Sequence, residues 1–217
     1  MIQKNYKFPD RVFITGTDTG VGKTVISAIL MAGLRGIYWK PVQSGLDDVT
    51  DREWVQEKTG LTDTHFRVEA YKLSLPISPH ASAKHDGVRI DLEKFHMPEV
   101  KAPHHLIIEG AGGIMVPLNE SCLMRDLMKK TDSQILLVAR TSLGTINHTL
   151  LSLAELERQG LRVMGVVMNG PKDRVSKQAI EYYGKVRVLA ETEPIADINP
   201  VSLMAMFDKY FKSFIEG

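Results

Sequence analysis

Short apolar runs recur along the chain at Val12-Phe13-Ile14, Ile37-Tyr38-Trp39, Leu106-Ile107-Ile108, Ile135-Leu136-Leu137-Val138, Val163 to Met168 and Val186-Arg187-Val188-Leu189. They are β-rich and nearly continuous rather than alternating, which is the pattern of strands covered on both faces. Stretches with helical spacing lie between them. The clearest puts Ile146, Leu150, Leu153 and Ala154 on one stripe, leaves Glu155, Glu157 and Arg158 off it, and stops at Gly160. A C-terminal stretch repeats the pattern with Leu203, Phe207, Tyr210, Phe211 and Phe214, which predicts a helix packed on the core. Alternating strands and helices predict a doubly wound α/β domain, in which a mostly parallel sheet carries helices on both faces and binds ligands at the carboxyl ends of its strands. Residues 60 to 104 are less regular, and "LPISPHASAKHDG" fits no element. With no linker, repeat or low-complexity tract in view, residues 1–217 read as one domain.

Composition narrows the function classes. A chain that is 43% hydrophobic and 24% charged can bury a substantial core beneath an ordinary polar surface. Its 27 basic and 26 acidic residues leave a formal net charge of +1, so no field is built for nucleic acid or an anionic membrane, and small-molecule partners are expected. Cys122 is the single cysteine, which excludes an internal disulfide framework and suits a reducing cytoplasm. The start "MIQKNYKFPD" has no apolar core of a leader, and no apolar run approaches the roughly 20 residues of a spanning helix. His80, His85, His104 and His105 form no ligand pattern with carboxylates or the cysteine and are given no role.

The chemistry concentrates in the loops after the apolar runs. "FITGTDTGVGKT" places a glycine-rich loop, Gly16 to Gly22, between a strand and a helix that opens at Lys23-Thr24. Backbone N–H groups of such a loop and the positive end of the helix dipole converge on an anion; Lys23 adds a charge for the terminal phosphates, and the Thr24 hydroxyl suits Mg2+. A strict G-x-x-x-x-G-K-[ST] would have glycine at position 17, where this chain has Thr17, with Gly16 one residue earlier. After the second run, "KPVQSG" presents Lys40 at the carboxyl end of a strand, where it can face a transferring phosphoryl group, with Ser44 and Gly45 in the same turn. Asp51 opens a helical stretch and is either a simple helix cap or a ligand for a cation. Glu109 is expected to end the strand "HLIIE" before "GAGG". Thr24, Asp51 and Glu109 together make an oxygen-ligand set for a hard cation, and Mg2+ is the expected metal. "TSLGTINH" offers a further helix N-terminus suited to a carboxylate, and Asn169 in "MNGP" has the donor and acceptor that a purine edge requires.

Read in order, "GTDTGVGKT", "KPVQSG", "EGAGG" followed by "VPL", and "LGTINHTLL" resemble the dethiobiotin synthetases, ATP-dependent cyclo-ligases built on a P-loop, over about Val12 to Asn169. The early glycine of the first loop is itself part of that family's pattern. The resemblance implies that carbon dioxide adds to one amine of 7,8-diaminononanoate, that the carbamate attacks the γ-phosphate of ATP, and that the second amine closes the ureido ring. By motif position Lys23 and Lys40 act on the phosphoryl group and carbamate, with Thr19 and Ser44 donating nearby. Gly20, Val21, Gly22, Thr24 and Val25 wrap the phosphates, and Asp51, Glu109, Gly110, Ala111 and Gly112 complete the ATP and Mg2+ site. Asn169, Gly170 and Pro194 are expected near the base. Gly144, Thr145, Ile146 and Asn147, with Ser44, are expected on the substrate, and Tyr182 or Tyr183 beside it.

The same resemblance implies a homodimer with the active site near the subunit interface. In "LAETEPIAD" the family's GxIP-like turn has Ala190 in place of glycine and one more residue before Pro194. Two other readings are weaker. An amidoligase of the cobyrinic acid synthetase type needs a glutaminase domain for which 217 residues leave no room. Partition-type switch ATPases carry a signature lysine five positions before the P-loop lysine, where this chain has Asp18.

Overall fold

The computed structural model describes residues 8–100 and 105–215; His104 and the first seven residues of the N-terminal stretch lie outside the described residues. In chain order the elements are β1 (Arg11–Gly16), α1 (Lys23–Leu34), β2 (Ile37–Trp39), β3 (Val42–Ser44), α2 (Asp51–Thr59), β4 (Phe66–Arg67), β5 (Tyr71–Leu73), α3 (Pro79–His85), β6 (Leu106–Gly113), α4 (Met124–Thr131), β7 (Gln134–Arg140), α5 (Thr145–Arg158), β8 (Val163–Asn169), α6 (Arg174–Gly184), β9 (Val188–Thr192) and α7 (Pro200–Tyr210). The main sheet has seven strands in the order β4-β2-β6-β1-β7-β8-β9, and every neighbouring pair is parallel. β3 and β5 form a small parallel ribbon beside it.

The continuous apolar runs are explained by the two-residue period of a strand. Val12 and Ile14 of β1, Ile107 of β6, and Leu136 and Val138 of β7 enter one core with α1 and α7. Their neighbours Phe13, Leu106, Ile108, Ile135 and Leu137 enter a second core on the opposite face, with α4, α5 and α6. The sheet is therefore sandwiched, as the pattern predicts. Of the C-terminal stripe, Leu203, Phe207, Phe211 and Phe214 are buried and Tyr210 is half-buried against the same core, but the helix itself ends at Tyr210 and a short 3-10 turn carries Phe214. α7 lies so close to α1 that a Cβ on Gly33 would fall 2.1 Å from the Phe207 ring, so only glycine fits there.

Four expectations need correction. The last strand runs from Val188 to Thr192 rather than from Val186, because Lys185 in the left-handed conformation (φ 49°) ends α6 and the first pairing with β8 is Val166 to Val188. β6 does not stop at Glu109 but continues to Gly113 along β1, so Glu109 lies within the strand, opposite Ile14. α5 buries Thr145, Thr149, Leu153 and Leu156, whereas Ile146 and Leu150 are half-buried and Ala154 is exposed. Threonines packed against the sheet are invisible to a count of apolar positions. The irregular segment holds β4, β5 and α3, the last opened by Ser78 as N-cap and Pro79 at the first helical position. Among the described residues no helix is long and apolar enough to cross a membrane.

Candidate active site

The loop between β1 and α1 sits at the centre of the sheet, where β6 lies on one side of β1 and β7 on the other. The crossover from β1 runs through α1 to β2 on one side, and the crossover from β6 runs through α4 to β7 on the other, so the strand order reverses here and a crevice opens at the carboxyl ends. Packing shapes the loop as much as glycine content does. Thr17 N–H donates to the Val138 carbonyl at 2.9 Å. A Cβ on Gly16 would meet Val21 Cγ2 at 2.7 Å and the Asp18 carbonyl at 2.8 Å. Gly22 has φ 99°, and a Cβ there would lie 2.0 Å from Asn169 Nδ2. Asn169 in turn donates to the Val21 carbonyl at 3.0 Å and accepts from the Thr192 hydroxyl at 2.9 Å. The residue expected beside a purine thus also braces the phosphate loop.

Lys23 begins α1, and its ammonium donates to the Asp18 carbonyl at 3.0 Å. Burial, and next the neighbouring Lys40 charge, bring its pKa down to about 8 against the pull of Glu109 and Asp51. Asp18 pairs with Arg140 at the end of β7. Its carboxyl is held below the usual value first by the Thr19 N–H, which donates to Oδ1 at 2.7 Å, and then by Arg140.

Lys40, just past β2, is the hub of the second half. Its Nζ lies 2.6 Å from Asp51 Oδ2 and 2.9 Å from Glu109 Oε1, and 3.3 Å from the Gly110 carbonyl. Burial works against the charge on Lys40, but Glu109 and Asp51 outweigh it and hold the pKa above the ordinary lysine value. Burial likewise opposes ionisation of Asp51, and Lys40 with the Thr24 hydroxyl outweighs it, so that carboxyl stays below its usual range. The helix-cap alternative for Asp51 is excluded: Thr50 caps α2 and exchanges a capping box with Glu53, which leaves the Asp51 side chain to face α1. Thr24 Oγ lies 2.9 Å from both Asp51 Oδ1 and Glu109 Oε1, and its single proton serves one of them at a time.

Glu109 is fully buried. Its second oxygen, Oε2, accepts from the Ser27 hydroxyl at 2.7 Å and from the Tyr38 hydroxyl at 2.9 Å. Burial pushes the Tyr38 phenol well above its usual pKa, which keeps it a donor. The oxygens of Thr24, Asp51 and Glu109 converge around a position that already favours positive charge, as the Lys40 ammonium shows. Hydroxyl and carboxylate oxygens with no nitrogen or sulfur donor suit a hard divalent cation, so these residues fit Mg2+.

A cavity of about 680 Å3 opens over this cluster. Thr19, Gly20, Gly22, Lys23, Thr24 and Val25 form its loop side. Lys40, Ser44, Asp51, Glu109, Ala111 and Gly112 face them. The Ser44 hydroxyl is buried in this wall and, among the described residues, has no hydrogen-bond partner. An apolar side made by Val49, Trp54, Pro76, Ile77 and Val116 has no counterpart in the sequence reading. Val21 instead packs into the core. Asn169, Gly170 and Pro194 lie outside the cavity lining, as do Gly144, Thr145, Ile146 and Asn147 at the start of α5 and the exposed Tyr182 and Tyr183 on α6. Ser27 and Tyr38 escaped the sequence reading, although spacing points to both. Ser27 is one helical turn beyond Thr24, and Tyr38 is two residues before Lys40 on the same side of an extended segment.

A parallel sheet whose central strand feeds a glycine-rich loop, a helix-opening lysine and a hydroxyl facing two carboxylates defines a P-loop nucleotide-binding protein. Residues 10–202 match a family profile described as an AAA domain. The fold is similar to a ParA family ATPase from Chlorobium tepidum, at TM-score 0.55 and 14% identity over 95% of each chain. It is similar also to the cell division ATPase MinD of Pyrococcus furiosus, at TM-score 0.56 and 15% identity over 96% of this chain and 98% of that one. Sequence likeness narrows the class. The chain is 46% identical to the ATP-dependent dethiobiotin synthetase BioD of Paramagnetospirillum magneticum over 90% of its own length and 93% of that protein. It is 42% identical to the protein of the same name from Nitrobacter hamburgensis over 95% of its own length and 98% of the relative. The chain belongs to the ATP-dependent dethiobiotin synthetase family.

Proposed function

We propose that this protein is an ATP-dependent ligase that joins carbon dioxide to 7,8-diaminononanoate and closes the ureido ring of dethiobiotin, with release of ADP and phosphate. The observation that carries this reading is the convergence of Lys23, Lys40 and the unpaired Ser44 hydroxyl on one cavity, in a chain 46% identical to a dethiobiotin synthetase. An amine of the substrate adds to carbon dioxide and loses a proton, giving a carbamate anion. One carbamate oxygen then attacks the γ-phosphorus, and the bond to the bridging oxygen of ADP breaks. The second amine attacks the activated carbonyl, and phosphate leaves with the former carbamate oxygen.

In this scheme the protein acts by position and charge. Lys23 and the Gly20 to Val25 backbone hold the phosphates, while Lys40 compensates charge developing on the transferred group. Ser44 and Thr19 donate to the carbamate and phosphoryl oxygens. Mg2+ held by Thr24, Asp51 and Glu109 would neutralise phosphate charge when bound. Ala111 and Gly112 close the pocket beside Gly110, and Asn169, Gly170 and Pro194 serve the base.

The start of α5 belongs to the same proposal. Gly144, Thr145, Ile146 and Asn147 do not line the cavity of their own chain, and Leu143 beside them is fully exposed. A homodimer in which this helix N-terminus meets the substrate carboxylate in the neighbouring subunit's site accounts for both facts. A cytoplasmic location goes with this reading, since a reducing compartment suits the lone Cys122.

The decisive assay is phosphate release with each component omitted in turn, followed by mass analysis of the product. Turnover is expected only with ATP, Mg2+, 7,8-diaminononanoate and bicarbonate together, and glutamine has no effect. Phosphate release that persists in carbon-dioxide-free buffer, or the lack of a cyclic urea, refutes the proposal.

A further inference from the structure

The Glu109 carboxylate is held by two matched pairs of groups. From α1, Thr24 lies 2.9 Å from Oε1 and Ser27 lies 2.7 Å from Oε2. From β2 and the residue after it, Lys40 lies 2.9 Å from Oε1 and Tyr38 lies 2.9 Å from Oε2. Each element thus supplies one group to the oxygen that faces the cavity cluster and one to the oxygen that faces away. The last torsion of a glutamate is broad and roughly two-fold, so covalent geometry alone does not decide which way the carboxylate plane turns. Two hydroxyl donors on one oxygen, arriving from two different elements, do decide it.

Ser27 has a second acceptor within reach, the Lys23 carbonyl at 2.9 Å. The carboxylate is closer and charged, so its hydrogen bond is the stronger of the two. Ser27 and Tyr38 are both fully buried and outside the cavity, so neither touches a ligand there.

We infer that Ser27 and Tyr38 are positioning residues for the reaction, which turn Glu109 so that Oε1 is presented to the divalent cation that accompanies ATP. This rests on the cation role of Glu109 proposed above. Outer groups that orient a metal ligand are worth about 10- to 100-fold in metal affinity. A carboxylate with only one of its two rear donors is expected to lose about tenfold.

The test separates orientation from mere packing. ATP is titrated calorimetrically at saturating Mg2+ and again in EDTA, and the ratio of the two affinities is the energetic coupling between cation and nucleotide. In Tyr38→Phe and in Ser27→Ala this ratio is expected to fall about tenfold, with affinity in EDTA unchanged. Circular dichroism confirms that each variant is folded. A lowered melting temperature with an unchanged ratio in both variants overturns the inference and leaves the two hydroxyls a structural role. Equal losses with and without Mg2+ overturn it too, because the defect then lies in the phosphate loop. Glu109→Gln separates this inference from the reading beneath it. If that variant keeps the parent ratio, the cation site itself is wrong; if it loses the ratio and Tyr38→Phe does not, only the positioning role fails.

Discussion

Lys40→Met isolates the charge at the hub while keeping much of the side-chain stem. The variant leaves Glu109 fully buried without its ammonium partner and removes one of the two cations near Asp51. The Glu109 arm dominates, since the two side chains are 5% and 0% exposed, whereas Asp51 is 32% exposed and partly screened. Removing one partner of a buried pair costs about 3–5 kcal/mol. For a chain of this size each kcal/mol moves the melting temperature by about 2–4 °C, so a fall on the order of 10 °C is expected.

The pH dependence follows from the two shifts. The Asp51 pKa is depressed, so its share of the stability is present above the unfolded carboxylate pKa and is lost as pH falls through the folded value. The Lys40 pKa is raised, so its share is fully present below the unfolded lysine pKa and is lost as pH rises through the folded value. The gap between parent and variant should therefore be a plateau from roughly pH 4 to pH 10, closing on both sides. Added Mg2+ should restore part of the lost stability by replacing the ammonium between the carboxylates. It should not restore turnover, where kcat is expected to fall about 10²- to 10³-fold with a much smaller change in ATP affinity. Differential scanning calorimetry across pH, with and without Mg2+, together with steady-state kinetics, reads all of this. A melting temperature within about 1 °C of the parent, or turnover rescued by Mg2+ alone, refutes the reasoning.

Burial brings the Lys23 pKa down to about 8, and an anionic phosphate beside the ammonium would raise it. ATP affinity should be flat below pH 8 and fall by up to about tenfold per pH unit above it, with proton uptake in calorimetry; affinity independent of pH up to 10 contradicts this. Gly22→Ala places a Cβ 2.0 Å from Asn169 Nδ2 at φ 99°, so loss of measurable ATP binding is expected in fluorescence titration, and near-parent affinity would show that the loop tolerates a different shape. Sedimentation should show a dimer, and Leu143→Asp, beside the start of α5, should weaken both dimer and turnover; a fully active monomer removes the shared-site arrangement.

Much of this protein was legible before folding because its signals are local. The sandwiched sheet follows from runs such as Ile135 to Val138, whose successive side chains enter opposite cores. The phosphate loop follows from glycines and a lysine within one short segment, and the burial of the C-terminal segment follows from the spacing of Leu203, Phe207, Phe211 and Phe214. Thr24, Asp51 and Glu109 could also be picked out, the first two because each stands at a helix start that the chain marks and the third because its carboxylate follows an apolar run.

Other features depended on groups far apart in sequence, and only tertiary structure decided them. Thr24 and Glu109 are 85 positions apart, and Asn169 and the Val21 carbonyl it braces are 148 apart. Whether Asp51 caps its helix was open until Thr50 was seen to hold the cap, which leaves the Asp51 carboxylate to Lys40 and Thr24. The face that α5 buries runs through Thr145 and Thr149 as well as Leu153 and Leu156, turned from the stripe that apolar positions alone mark. The apolar cavity side from Pro76 and Ile77, and the two hydroxyls behind Glu109, depend on the same kind of distant contact. Periodicity and motif spacing record the chain's own geometry, whereas a buried carboxylate's partners are chosen by which surfaces meet when two cores close on one sheet.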